Sequence, residues 1–179
     1  MKKYLFPLIL IVMLIFALCA YASDVRRDLS ESLVRLHVIA ASDSDYDQNI
    51  KLAVRDAILS ATQELDKNDP NGFAKAAEAA ANEYLKSHSV PYLAHAEYGR
   101  FDFPEKEYQG FTLPAGEYNG VRVILGSGEG HNWWCILYPP MCFDGDAEEL
   151  QRSLRPDTYD VISSPKREVR FRIAELLGL

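Results

Sequence analysis

Leu33-Val34-Arg35-Leu36-His37-Val38-Ile39-Ala40 runs straight into Ala41-Ser42-Asp43-Ser44-Asp45, and this junction decides the class of fold. The first eight residues are apolar and rich in β-branched side chains. Arg35 and His37 fall on the alternate face, so the stretch reads as a strand. The serine and aspartate oxygens that follow are helix-capping groups. Ile50, Val54, Ala57, Ile58, Ala61 and Leu65 then recur at helical spacing, which predicts an amphipathic helix from Asp45 to about Leu65.

Downstream, Asn68-Asp69-Pro70-Asn71-Gly72 is a turn, and a second helix is predicted from Phe73 to about Ser87. Its stripe of Phe73, Ala76, Ala77, Ala80, Ala81, Tyr84 and Leu85 is alanine-rich, which permits close approach to a neighbour. From Val90 onward the period changes. Tyr92, Ala94, Ala96 and Tyr98 alternate with Leu93, His95 and Glu97 as in a strand that ends by Phe103-Pro104. Pro114-Ala115-Gly116 turns between two extended pieces. Gly120 to Gly126 is a clear strand, and Gly126-Ser127-Gly128-Glu129-Gly130 links it to a strand over Trp133–Leu137, which predicts a hairpin. A short helix is expected from Ala147 to Leu154. A last helix starts at Ser164-Pro165, although alternation of Val169, Phe171 and Ile173 also fits a strand. The order predicts an α+β domain in which helices cover a mostly antiparallel sheet.

Upstream of the junction, Met1-Lys2-Lys3 precedes an apolar run from Tyr4 to about Leu18, and Ala20-Tyr21-Ala22 supplies small residues before Ser23-Asp24. That layout predicts a secretory signal peptide cleaved after Ala22. An uncleaved anchor is the competing assignment, because the run approaches the length that spans a bilayer. Residues 1–22 are thus the leader, 23–32 a flexible lead-out and 33–179 a single domain.

Losing Lys2 and Lys3 takes the formal charge from −7 to −9. An acidic exported domain is poorly suited to nucleic acid or to anionic lipid, which excludes DNA reading by the paired helices. Membrane contact is expected only through the leader.

Of three cysteines, Cys19 lies in the leader, leaving Cys135 and Cys142. In an oxidising compartment this pair most simply forms a disulfide. Two alternatives stay open: a reactive Cys135–His131 dyad, and a metal site. On an extended strand residues 131 and 135 lie about 13 Å apart, so the dyad needs a bend. The metal site lacks finger-like partners among His37, His88 and His95. No metal or other cofactor is assigned.

Asp43-Ser44-Asp45-Tyr46-Asp47 resembles the start of a calcium loop, but Gln48 replaces the turn glycine and Val54 the bidentate glutamate. The glycine-rich 126–130 segment lacks the Lys-Ser/Thr ending of a phosphate loop. Lys51 and Arg55 lie four apart on the first long helix, an ordinary solvated ion-pair face or a contact face. Trp133 and Trp134 should face opposite sides of a strand, one entering the core. The outward one, beside His131 and Asn132, is a candidate hot spot for a partner or a sugar. No nucleophile elbow, His-Glu-x-x-His helix or Asp-Thr/Ser-Gly loop occurs, so no catalytic residue is assigned.

Leu36-His37-Val38-Ile39-Ala40-Ala41-Ser42-Asp43-Ser44, Asp47-Gln48 and Lys51-Leu52-Ala53-Val54-Arg55-Asp56-Ala57 resemble the stage II sporulation protein R family. Phe103-Pro104-Glu105-Lys106, Leu113-Pro114-Ala115-Gly116-Glu117-Tyr118 and Val121-Arg122-Val123 extend the likeness. It is strongest from Gly126 to Phe143, and Val169-Arg170-Phe171-Arg172-Ile173 is a weaker echo. The resemblance implies a protein exported from the forespore into the space between forespore and mother-cell membranes. There it would activate a membrane-embedded aspartic protease, stage II sporulation protein GA, which processes pro-sigma-E. It implies a signalling ligand rather than an enzyme and transfers no mapped contacts. The partner-binding candidates are His131, Asn132, Trp133 and Trp134. The rival class is a cell-wall glycan-binding or hydrolytic protein using the Trp133-Trp134 region.

Overall fold

The computed structural model describes residues 2–65, 69–142 and 147–164. Its architecture is α+β. Four strands form one sheet in the order β2-β5-β1-β6, from β2 (Ala94–Phe103), β5 (Gly116–Leu125), β1 (Val34–Ile39) and β6 (Asn132–Tyr138). β2 pairs antiparallel with β5 and β6 antiparallel with β1, while β1 and β5 are parallel. A two-stranded ribbon, β3 (Lys106–Tyr108) and β4 (Phe111–Leu113), stands apart from this sheet.

The period-two pattern of β1 divides the interior in two. Leu36 and Val38 face α2 (Asp45–Thr62) and α3 (Pro70–Ser87), joining Val54, Ile58, Phe73, Ala77, Ala81, Val121, Val123 and Leu137. The α3 alanines let the helix lie close on the sheet. Ser44 caps α2 by accepting the Asp47 N–H at 3.2 Å, and Asp69 caps α3 through the Gly72 N–H at 2.9 Å. Across the sheet, a second cluster unites Phe103, Tyr118 and Ile136 with Phe111 and Leu113 of the ribbon. Leu150 of α4 (Ala147–Ser153) and Val161 and Ile162 of α5 (Pro156–Ser163) complete it.

Two expectations are corrected. Residues 23–32 are not a loose lead-out: α1 (Lys2–Ser32) is one helix through them, and Val25, Leu29 and Ser30 are buried against the second cluster. Arg155 adds polar ties, to Asp24 at 2.5 Å and to Asp28 through its backbone N–H at 3.2 Å. The polar residues of this stretch concealed an apolar pair at i and i+4. The N-terminal part of α1 exposes its apolar side chains and fits a signal sequence.

The second correction concerns β5 and β6, which are not a hairpin, because β1 lies between them. Their loop crosses the end of β1. The Gly130 N–H donates to the Ala40 carbonyl at 3.0 Å and the Ser127 hydroxyl to the Ala41 carbonyl at 2.7 Å. Gly126 and Gly128 supply the left-handed turns of the crossing, with φ of 56° and 67°. The expected terminal helix or strand beyond Pro165 lies outside the described residues. The short helix at Ala147 is present, ending at Ser153, while α5 and β3 had no forecast from sequence.

Candidate partner-contact site

Where β1 gives way to α2, the chain folds back on itself through hydroxyl and carboxylate groups. The Ser42 hydroxyl donates to Asp47 at 2.5 Å, the Tyr92 hydroxyl to Asp47 at 2.6 Å, and the Gln48 amide to the Ser42 carbonyl at 2.9 Å. The Ser42 and Tyr92 hydroxyls hold the Asp47 carboxyl below its ordinary range. The loop that crosses β1 brings His131 to the same place. Its backbone N–H donates to Asp43 Oδ1 at 2.7 Å, and its ring Nδ1 pairs with the same oxygen. These hydrogen bonds lower the Asp43 pKa.

Lys51 sits one turn into α2 and is buried, at 6% exposure. Its ammonium donates to Gln48 Oε1 at 2.6 Å and to the His131 carbonyl at 3.0 Å. Burial lowers its pKa, while Asp43 works the other way. One turn further, the Arg55 guanidinium lies 5.1 Å from the Trp133 ring centroid. Lys51 and Arg55, ambiguous in sequence, are therefore joined to His131 and Trp133. Asp43 and Asp47 read as capping residues; no signal in their spacing announced the contact of Asp43 with His131 or of Asp47 with Tyr92.

The two tryptophans do face opposite sides, and both are half-buried. Trp133 packs against the α2–α3 core under Arg55. Trp134 stacks on His37, centroids 4.9 Å apart and planes 11° apart, with Phe103 edge-on at 5.1 Å. Asn132, also half-buried, opens β6 opposite Ile39. His37, Arg122 and Glu97 continue the row of Trp134 across all four strands. His37 is buried, and burial and the charges of Arg122 and Arg35 lower its pKa to about 4.

Cys135 and Cys142 form a disulfide with Cα atoms 5.8 Å apart, and the Cys142 N–H donates to the Ile136 carbonyl at 3.1 Å. In this state Cys135 has no thiolate to offer His131. Among the described residues only Asp43 hydrogen-bonds the His131 ring, and no group of three or more His, Cys, Asp or Glu is placed to hold a metal. The arrangement is suited to presenting His131–Trp134 in one fixed shape.

Fold and site together define a small α+β domain behind an apolar helix, with a disulfide-closed turn after β6 and a glycine-rich loop across the end of β1. The chain belongs to the stage II sporulation protein R family, whose model matches residues 30–148. It is similar to stage II sporulation protein R of Bacillus subtilis (strain 168), with 31% identity over 125 residues that cover 64% of this chain. The chain spans 55% of that relative's length. No solved structure matches it.

Proposed function

We propose that this chain is an exported sporulation signal. It leaves the forespore and, between forespore and mother-cell membranes, activates a membrane-embedded aspartic protease of the stage II sporulation protein GA kind. The protease then processes pro-sigma-E. Family membership over residues 30–148 carries this proposal. The apolar N-terminal helix supports export. A ligand shifts such an equilibrium only by binding the active form of the protease better than the inactive one. The contact surface is assigned to His131, Asn132, Trp133 and Trp134, held from beneath by Lys51 and Asp43.

The rival glycan-binding role fits the geometry less well. Trp133 and Trp134 lie on opposite faces of β6 and cannot form one stacking platform for sugars. Reconstitution in a non-sporulating host tests the proposal. This chain, the cognate membrane protease and pro-sigma-E are co-expressed, with and without export of this chain. Shortening of the sigma factor that requires the exported chain is expected. No shortening with all three proteins folded, together with retention of this chain on purified peptidoglycan, would move the assignment to the cell wall.

A further inference from the structure

β2 and β6 are the two edges of the main sheet, and they are finished differently. On β2 the main chain facing away from β5 is capped from α3. The Asn82 side chain accepts from the Ala94 N–H and donates to the Ala94 carbonyl, both at 2.9 Å. Glu78 accepts from the Ala96 N–H at 2.7 Å. Further along, Arg100 and Asp102 put charge on that edge, which discourages an added strand. β6 has neither defence: Asn132-Trp133-Trp134-Cys135-Ile136-Leu137-Tyr138 contains no charge and no proline.

The far half of the β6 edge is closed by the disulfide-held turn, where the Ile136 carbonyl accepts the Cys142 N–H at 3.1 Å. That bond also fixes the phase of the edge. Main-chain groups alternate sides along a strand. Ile136, Trp134 and Asn132 therefore point their N–H and C=O away from β1, whereas Trp133 and Cys135 pair with Val38 and Leu36. Among the described residues no hydrogen bond reaches the outward groups of Asn132 or Trp134.

The two tryptophans straddle this open stretch. Both are half-buried, Trp133 on the α2 face beside Arg55 and Trp134 on the opposite face against His37. An extended segment laid along the edge touches both, because its successive side chains alternate onto the same two faces. We infer that the outer edge of β6 at Asn132–Trp134 binds an extended segment of a partner protein by strand addition. The segment hydrogen-bonds the outward main-chain groups and sets adjacent apolar side chains beside Trp133 and Trp134. A second copy of this chain is the poorer occupant, because copies of formal charge −7 repel one another. The inference rests on the activating role proposed above and states how the protease would meet this domain.

The test follows amide hydrogen exchange of the full chain in detergent micelles, together with sigma-factor processing in the reconstituted host. In the free chain the Asn132 and Trp134 amides should exchange much faster than those of Trp133 and Cys135. Slow exchange at all four would mean that the chain's own residues fill the edge, and overturns the inference. Exchange that slows as the chain is concentrated assigns the edge to a second copy and overturns it equally. Adding the detergent-solubilised cognate protease should slow the Asn132 and Trp134 amides severalfold. Asn132→Pro removes an outward N–H without costing a bond to β1, while Asn132→Ala loses the same side chain and keeps the N–H. At equal levels of folded chain, Asn132→Pro should process severalfold less sigma factor than Asn132→Ala. Should Asn132→Pro fail to fold, exchange of the two amides in the wild-type complex decides alone. Wild-type processing with both amides still fast in the complex, or with the two variants equally active, overturns strand addition and leaves the protease assignment standing. No processing by the wild-type chain overturns the protease assignment, and this inference with it.

Discussion

The ammonium of Lys51 donates a 3.0 Å hydrogen bond to the backbone carbonyl of His131, 80 positions away in the chain. This contact ties α2 to the loop that introduces both tryptophans. It is charge-assisted and enclosed, so it belongs to the stronger class of protein hydrogen bonds.

Lys51→Met should therefore cost about 1.5–3 kcal/mol of stability, the range for a hydrogen bond to a charged group. Urea unfolding followed by circular dichroism would show a lower midpoint with an unchanged slope. If the loop is the presented surface, sigma-factor processing in the reconstituted host should fall further than the lost folded fraction explains. Processing that merely tracks the folded fraction would make Lys51 a structural tie and nothing more.

His37 predicts a pH dependence on its own. Its imidazole titrates near 6.5 in the unfolded chain and about 4 in the folded one. On acidification the unfolded state takes the proton first. Stability from this group is complete above pH 6.5 and is lost between there and about pH 4, a total of roughly 3 kcal/mol. In His37→Phe, which keeps a ring against Trp134, urea midpoints at pH 7 and pH 5 should lie closer together than in the wild type.

Asp43 and Asp47 act in a more acidic window. Both carboxyls are held below the ordinary range, by hydrogen bonds from His131 and from Ser42 and Tyr92 respectively. Their contribution is intact above the unfolded carboxylate pKa of about 3.9 and disappears as pH falls through the lower folded values. Asp47→Asn should lower stability at pH 7 and flatten the acid limb below pH 4. An acid limb identical to the wild type would show that the cluster adds no pH-dependent stability.

Removing the Cys135–Cys142 disulfide by Cys142→Ser should cost about 2–3 kcal/mol, as expected for so short a loop. Unfolding with and without reductant checks this, since only the wild type should respond. Processing activity that survives at full strength in folded Cys142→Ser would rule out a need for the disulfide to pre-organise the tryptophan loop.

Local patterns were readable where each residue is answered by a neighbour a few positions away. The alternation of β1, the helical stripes of α2 and α3, and the capping serine at residue 44 all fall in that class. The α+β class followed from their order. The partner of β5 was not readable, because a glycine-rich link looks the same whether the strands it joins are adjacent or flank a third. The Asp43–His131 and Lys51–His131 contacts were hidden for the same reason: side chains and carbonyls that meet across 80 or more positions leave no periodicity. Arg35 was visible as the alternate face of a strand, but the rings that enclose it, Phe103 of β2 and Tyr118 of β5, lie more than 65 positions away.

β1 is one of the two inner strands of the sheet, flanked by β5 and β6, and both of those lie more than 75 positions further along the chain. Under the proposed export, this strand crosses the membrane early and waits. Its edges stay unsatisfied until residues 116–138 have followed it across. Helices α2 and α3 can pair with each other as they emerge, but the sheet they cover, with Trp133 and Trp134 on β6, closes only after most of the chain has crossed. Under the proposed export, a half-delivered chain would lack the assembled sheet that carries Trp133 and Trp134, so the proposed contact surface would form only once transport is complete.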